Sequence, residues 1–217
     1  MNPYRQIAAG ISVLFCALAN GAGNEAKLFK DYTYLSARDS YVNQQGYYDC
    51  SAEVGSDALC KDDVRFMDHS FTAALVFSAG KLHQISLMTE QDQAIFARLF
   101  GTLSQTFTLV ALNDGKTQLD ILHTLRNDRS AKQTITNFEG GGINGGSFTY
   151  VMLEKAAVMD KADSLISALA LQPDTVRSAE LMVVGQGADS VIVLKFALPK
   201  REAQLVRDAA QKPAESF

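Results

Sequence analysis

Cys50 and Cys60 are the residues of this chain whose type and spacing say most about chemistry. Nine residues lie between them, in a polar, glycine-containing stretch (51–59) that can curl back on itself. In an oxidising compartment such a pair reads as one disulfide. Redox pairs use the tighter C-x-x-C spacing, and a zinc site would need two further soft ligands. Closing this loop restricts the unfolded chain by about 2–3 kcal/mol.

Acid–base and nucleophilic chemistry would have to come from three histidines, His69, His83 and His123, and from scattered carboxylates. There is no G-x-S-x-G serine elbow, H-E-x-x-H pair or EF-hand loop. Asp62-Asp63 and Asp68-His69 could gather near the disulfide, but their spacing matches no metal-ligand pattern, and no metal is expected. His69, opening a strand just after Asp68, is the one histidine placed for general acid–base work. An envelope-directed hydrolase using carboxylates with His69 is therefore the catalytic alternative.

Gly140-Gly141-Gly142-Ile143-Asn144-Gly145 satisfies G-x-G-x-x-G to the letter. The fingerprint binds a dinucleotide only if a strand precedes it and a helix starts at its end. Here Ser147–Val151 reads as another strand, so the run is taken as a hairpin loop and no cofactor is expected. Gly115-Lys116-Thr117 resembles the end of a phosphate-binding loop, but Val110 stands where the first glycine is required.

Five tyrosines fall between positions 32 and 48, and the chain has no tryptophan, which argues against a dedicated sugar-binding module. Tyrosine supplies large contact area at low entropic cost. Tyr47 and Tyr48, with the acids Asp57, Asp62 and Asp63 around the cysteine loop, form the candidate partner-binding patch.

The compartment comes from the N-terminus. One positive charge at Arg5 precedes a 13-residue apolar run, Ile7 to Ala19, ending in the small-x-small pattern Ala17-Leu18-Ala19. The run is shorter than the roughly 20 residues of a membrane span. It reads as a secretory signal, residues 1–19, cut at Ala19/Asn20. Phe15 before Cys16 is too bulky for lipoprotein processing. The expected mature chain, 20–217, has 198 residues and net charge −5, a single α+β domain of one or two sublobes. It is exported, periplasmic in a Gram-negative cell and otherwise secreted, with no membrane anchor after cleavage. A mildly acidic chain offers no electrostatic footprint for nucleic acid.

The elements that must position these residues follow from periodicity. Phe71–Phe77 alternates, Ser78-Ala79-Gly80-Lys81 is a tight turn and Leu82–Met88 runs back as the second strand of a hairpin, and Ile95 to Leu103 repeat at helical spacing. A strand at Phe107–Leu112 ends in the turn Asn113-Asp114-Gly115. The stretch 116–133 suits a helix, with a break at Asn127–Ser130. A second hairpin is expected from Gln133–Glu139 and Ser147–Glu154, then a helix capped by Asp160 and Asp163. A third joins Ser178–Val184 to Ser190–Leu198, with a last helix from Pro199. The expected class is α+β, an antiparallel sheet of three β-hairpins, each followed by an amphipathic helix. The functional expectation is an exported soluble binding protein, inhibitor- or immunity-like, acting on a protein partner without catalysis.

Overall fold

In the computed structural model, residues 26–142, 146–155, 159–185 and 187–210 are described. The expected signal segment and its cut site lie outside the described residues.

The chain begins with two short paired strands, β1 (Lys27–Phe29) and β2 (Tyr32–Thr33), then a turn of helix, α1 (Asp39–Val42). Next come β3 (Tyr47–Asp49), α2 (Ser51–Val54), and the long strands β4 (Ala58–Phe66), β5 (His69–Ser78) and β6 (Lys81–Glu90). The β5–β6 hairpin appears where alternation placed it. Ala79 and Gly80 both hold positive φ, as a tight two-residue turn requires.

Helix α3 (Gln93–Thr106) follows, its first turn capped by Asp92, whose carboxylate accepts the Ile95 N–H at 2.8 Å. Its face buries Leu99 and Leu103, at about 2 kcal/mol for each side chain withdrawn from water. β7 (Phe107–Asn113) turns back through Gly115 into β8 (Gln118–Asp120). The helix expected over 116–133 is met in part: Gln118–Asp120, with Leu119, is the edge strand β8, α4 (Ile121–Asn127) stops at the expected break, and α5 (Ala131–Gly142) starts beyond it.

The second expected hairpin is not there. Gln133–Glu139 is helical, because Ile135 and Phe138, one helical turn apart, both pack against the main core. Only its second arm is a strand, β9 (Ser147–Glu154). Helix α6 (Leu165–Leu171) is capped by Ser164 and Ser167 rather than by Asp160 and Asp163. Each serine hydroxyl takes the other residue's backbone N–H. The third hairpin, β10 (Ser178–Val184) with β11 (Val191–Ala197), and the final helix α7 (Pro199–Ala210) match the sequence pattern.

These strands form one nine-stranded sheet of order β3-β4-β5-β6-β11-β10-β9-β7-β8, every neighbour antiparallel. The fold is thus mixed α+β on one large antiparallel sheet, not three hairpin–helix repeats. One face carries the main core. Leu75, Ile85, Leu181, Ile192 and Leu194 pack there beneath α3, α5 and the β1–β2 pair. Among the described residues the opposite face carries two smaller clusters. α2 sits on Cys50, Ala58, Cys60 and Ala74, and α6 sits on Val110 and Leu153.

Candidate functional site

The register of the sheet shows what lies between those two caps. One cross-strand row runs Tyr48, Cys60, Ala74, Ser86, Lys195, Glu180, Val151, all on the face opposite the main core. The next row runs Thr72, Met88, Val193, Met182, Thr149. Val54 of α2 and Met88 both border the Cys50–Cys60–Ala74 cluster at one side, and Leu165 and Leu169 of α6 and Val151 all border the Val110–Leu153 cluster at the other. Between them lies the floor of β6, β11 and β10, where Ser86 is buried and the Lys195 and Glu180 side chains are about a quarter exposed. Val184 and Val191 are each 36 % exposed there, and Val193 and Met182 are half-buried. Lys195 and Glu180 form an ion pair at 2.5 Å in the middle of this floor.

The disulfide stands at one wall. Cys50 and Cys60 are bridged, with Cα atoms 5.7 Å apart, and the bond ties the start of α2 to β4. It is compatible with an oxidising compartment. Among the described residues no helix is long and apolar enough to cross a membrane.

The residues singled out from sequence do not form one patch. Tyr47 and Tyr48 are consecutive in a strand and so serve opposite faces. Tyr47 turns into the core side, against Tyr41, with its hydroxyl 3.1 Å from that of Tyr32 and Lys61 over its ring. Burial and the Tyr32 contact push its hydroxyl well above the ordinary tyrosine range. Tyr48 is 46 % exposed and donates to Asp62 at 3.1 Å. Loss of water contact and the Asp62 carboxylate beside it raise its pKa as well. Asp57 is drawn away toward Arg38, whose guanidinium bridges Asp57 and Asp49 at 2.8 Å each.

Asp62 and Asp63 are held together by a device invisible in the sequence. Lys61 pairs with Ala73 and Val64 with Phe71, so two residues of β4 oppose Thr72 alone. This is a β-bulge, with Asp63 in the left-handed conformation at φ 56°. An extra residue lets two consecutive carboxylates share one face. Asp62 accepts from the Thr72 hydroxyl at 2.8 Å, and Asp63 from the Ser70 hydroxyl at 2.9 Å. Glu90 lies two residues past Met88 on the neighbouring strand. Among the described residues none of these three acids is in an ion pair, and the cations of β4 are Lys61, which covers the Tyr47 ring, and Arg65.

His69 lies 3.1 Å from the Thr89 hydroxyl and edge-on to Phe71, and among the described residues no carboxylate is bonded to it. His83 is buried, with Nδ1 3.1 Å from Glu202 and 3.4 Å from the Tyr34 hydroxyl, and His123 meets Asn127. Among the described residues no three His, Cys, Asp or Glu side chains gather as a metal site would. The glycine run starts inside α5, whose carbonyl-rich C-terminal end carries the negative pole of the helix dipole, and residues 143–145 lie outside the described residues. A pyrophosphate needs the opposite pole.

No family model, no curated protein and no solved structure matches this chain.

Proposed function

We propose that this is an exported binding protein that holds a segment of a protein partner on the centre of its sheet. The observation that supports it is the floor of β6, β11 and β10, where Val184 and Val191 are exposed and Val193 and Met182 half-buried between the α2 and α6 walls. Contiguous apolar surface left outside a core marks an interaction site. Three strands spaced about 4.8 Å apart give a floor of roughly 10 Å, the width of one helix. The partner segment is therefore an amphipathic helix. Asp62, Asp63 and Glu90 at the upper end favour a basic stretch on it, and the Lys195–Glu180 pair fixes its register. The disulfide keeps the α2 wall rigid, so little order is lost on binding.

A photo-crosslinking residue at Val193 should trap the partner in its own compartment, whereas one at the exposed Lys132 on α5 should not. Val193→Asp and Asp62→Lys should each weaken capture at least tenfold, about 1.4 kcal/mol. Equal trapping from both positions, or normal capture by Val193→Asp, would refute the reading.

A further inference from the structure

A groove of about 700 Å³ lies between α6, α7 and the corner at Tyr34-Leu35, a size typical of small-molecule sites. Its centre is apolar: Leu35, Ile166, Leu169, Ala203 and Leu205 line it. Leu165 and Leu169 pack α6 onto the sheet, whereas Ile166 is 80 % exposed, and Leu35 and Leu205 are 43 % exposed. Leu35 holds φ 65°, a left-handed conformation that is strained for a non-glycine residue.

The rim is positive. Lys200, Arg201 and Arg207 line the groove against one acid, Asp174. Lys200 donates to the carbonyls of Ala170 and Gln172 at the end of α6. Arg201 lies 3.6 Å from Asp174 and covers the Tyr34 ring. Arg207 is in no ion pair among the described residues. The helix that carries it is held by its first turn, through these contacts and Glu202 on His83, while 203–208 are exposed on every side. A helix of 12 residues has little stability without tertiary packing.

We propose that this groove binds one fatty acid of about twelve carbons, with the acyl chain over Leu35, Ile166 and Leu169 and the carboxylate on Arg207. The apolar lining takes the chain, the excess of positive charge takes the headgroup, and the bound chain packs the loose half of α7. A second copy is disfavoured because two positive rims would face each other. A bilayer surface is disfavoured because Glu202 and Asp208 interrupt the cations of α7.

The test is calorimetric titration of the purified protein with laurate below its micelle concentration. Saturable one-to-one binding is expected, weakened at least tenfold by Ile166→Asp and by Arg207→Glu. Dodecanol should bind more weakly than laurate, and dodecyltrimethylammonium should not bind. Both substitutions are at exposed positions, and circular dichroism with thermal melting checks that the variants fold. Absence of saturable laurate binding, or unchanged binding in Ile166→Asp, overturns the proposal. So does binding to anionic phospholipid vesicles alone, or a concentration-dependent dimer that Ile166→Asp makes monomeric.

Discussion

Tyr47 and Tyr48 are neighbours in β3 yet belong to different parts of the protein. Tyr47 belongs to the core side through Tyr41 and Tyr32, and Tyr48 to the open face through Asp62. Their substitutions should therefore separate cleanly. Tyr47→Ala empties a half-buried aromatic site and should lower unfolding stability by about 1–3 kcal/mol. Tyr48→Ala removes an exposed ring and should leave stability within about 0.5 kcal/mol. Under the proposed function, Tyr48→Ala should instead weaken partner capture. Denaturant titration and capture measured on both variants check the split. Equal stability loss in the two would mean that β3 does not divide them.

Alkaline pH should destabilise the fold through three tyrosines. Tyr150 is buried and donates to Glu139, so burial first, and then the carboxylate, raises its pKa above the ordinary value of 10.0. Tyr34 and Tyr47 are raised in the same direction, by burial foremost. A raised folded-state pKa means that the native protein keeps protons the unfolded chain has lost. Stability is then fully present below about pH 10 and falls as pH rises through and above that value. Tyr150→Phe removes one of the three titrations. Its stability against pH, followed by urea unfolding from pH 8 to 11, should fall less steeply than that of the unaltered protein. An equal slope would show that Tyr150 ionises as freely in the native state as in the unfolded chain.

Periodicity predicted the hairpins and helices whose apolar residues keep a single period. Phe71–Phe77 and Ile192–Leu198 alternate cleanly, and α3 repeats at helical spacing, so those elements are legible. β4 is not. Its pair Asp62-Asp63 interrupts the alternation, since the bulge inserts a residue, and the stretch reads as a loop. α5 was misread because Ile135 and Phe138 are few, and a triple glycine follows them. Tertiary packing against Phe148 and the core decides in favour of helix. The candidate site was legible as residue types only. Tyr48, Asp62 and Asp63 share the open face, but Tyr47 turns inward and Asp57 is held by Arg38. The sheet floor and the α6–α7 groove involve no motif. They arise from which helices pack on which strands, a relation between segments far apart in the chain.

The end of α5 offers a stringent check on that correction, because its glycines should respond in opposite ways. A Cβ added at Gly142 would collide with two edge carbons of the Phe148 ring and lie 3.1 Å from the Asp114 Cβ. Phe148 is 2 % exposed and cannot swing aside. Gly142→Ala should thus destabilise by about 1–3 kcal/mol through overpacking. A Cβ at Gly141 would meet nothing within 4 Å, and this residue is helical and exposed. There alanine lowers the entropy of the unfolded chain and suits the helix, so Gly141→Ala should stabilise by about 0.5–1 kcal/mol. In a flexible hairpin loop both substitutions would be near neutral. Urea midpoints for the two variants distinguish these cases, and a neutral Gly142→Ala would mean that α5 does not end against Phe148.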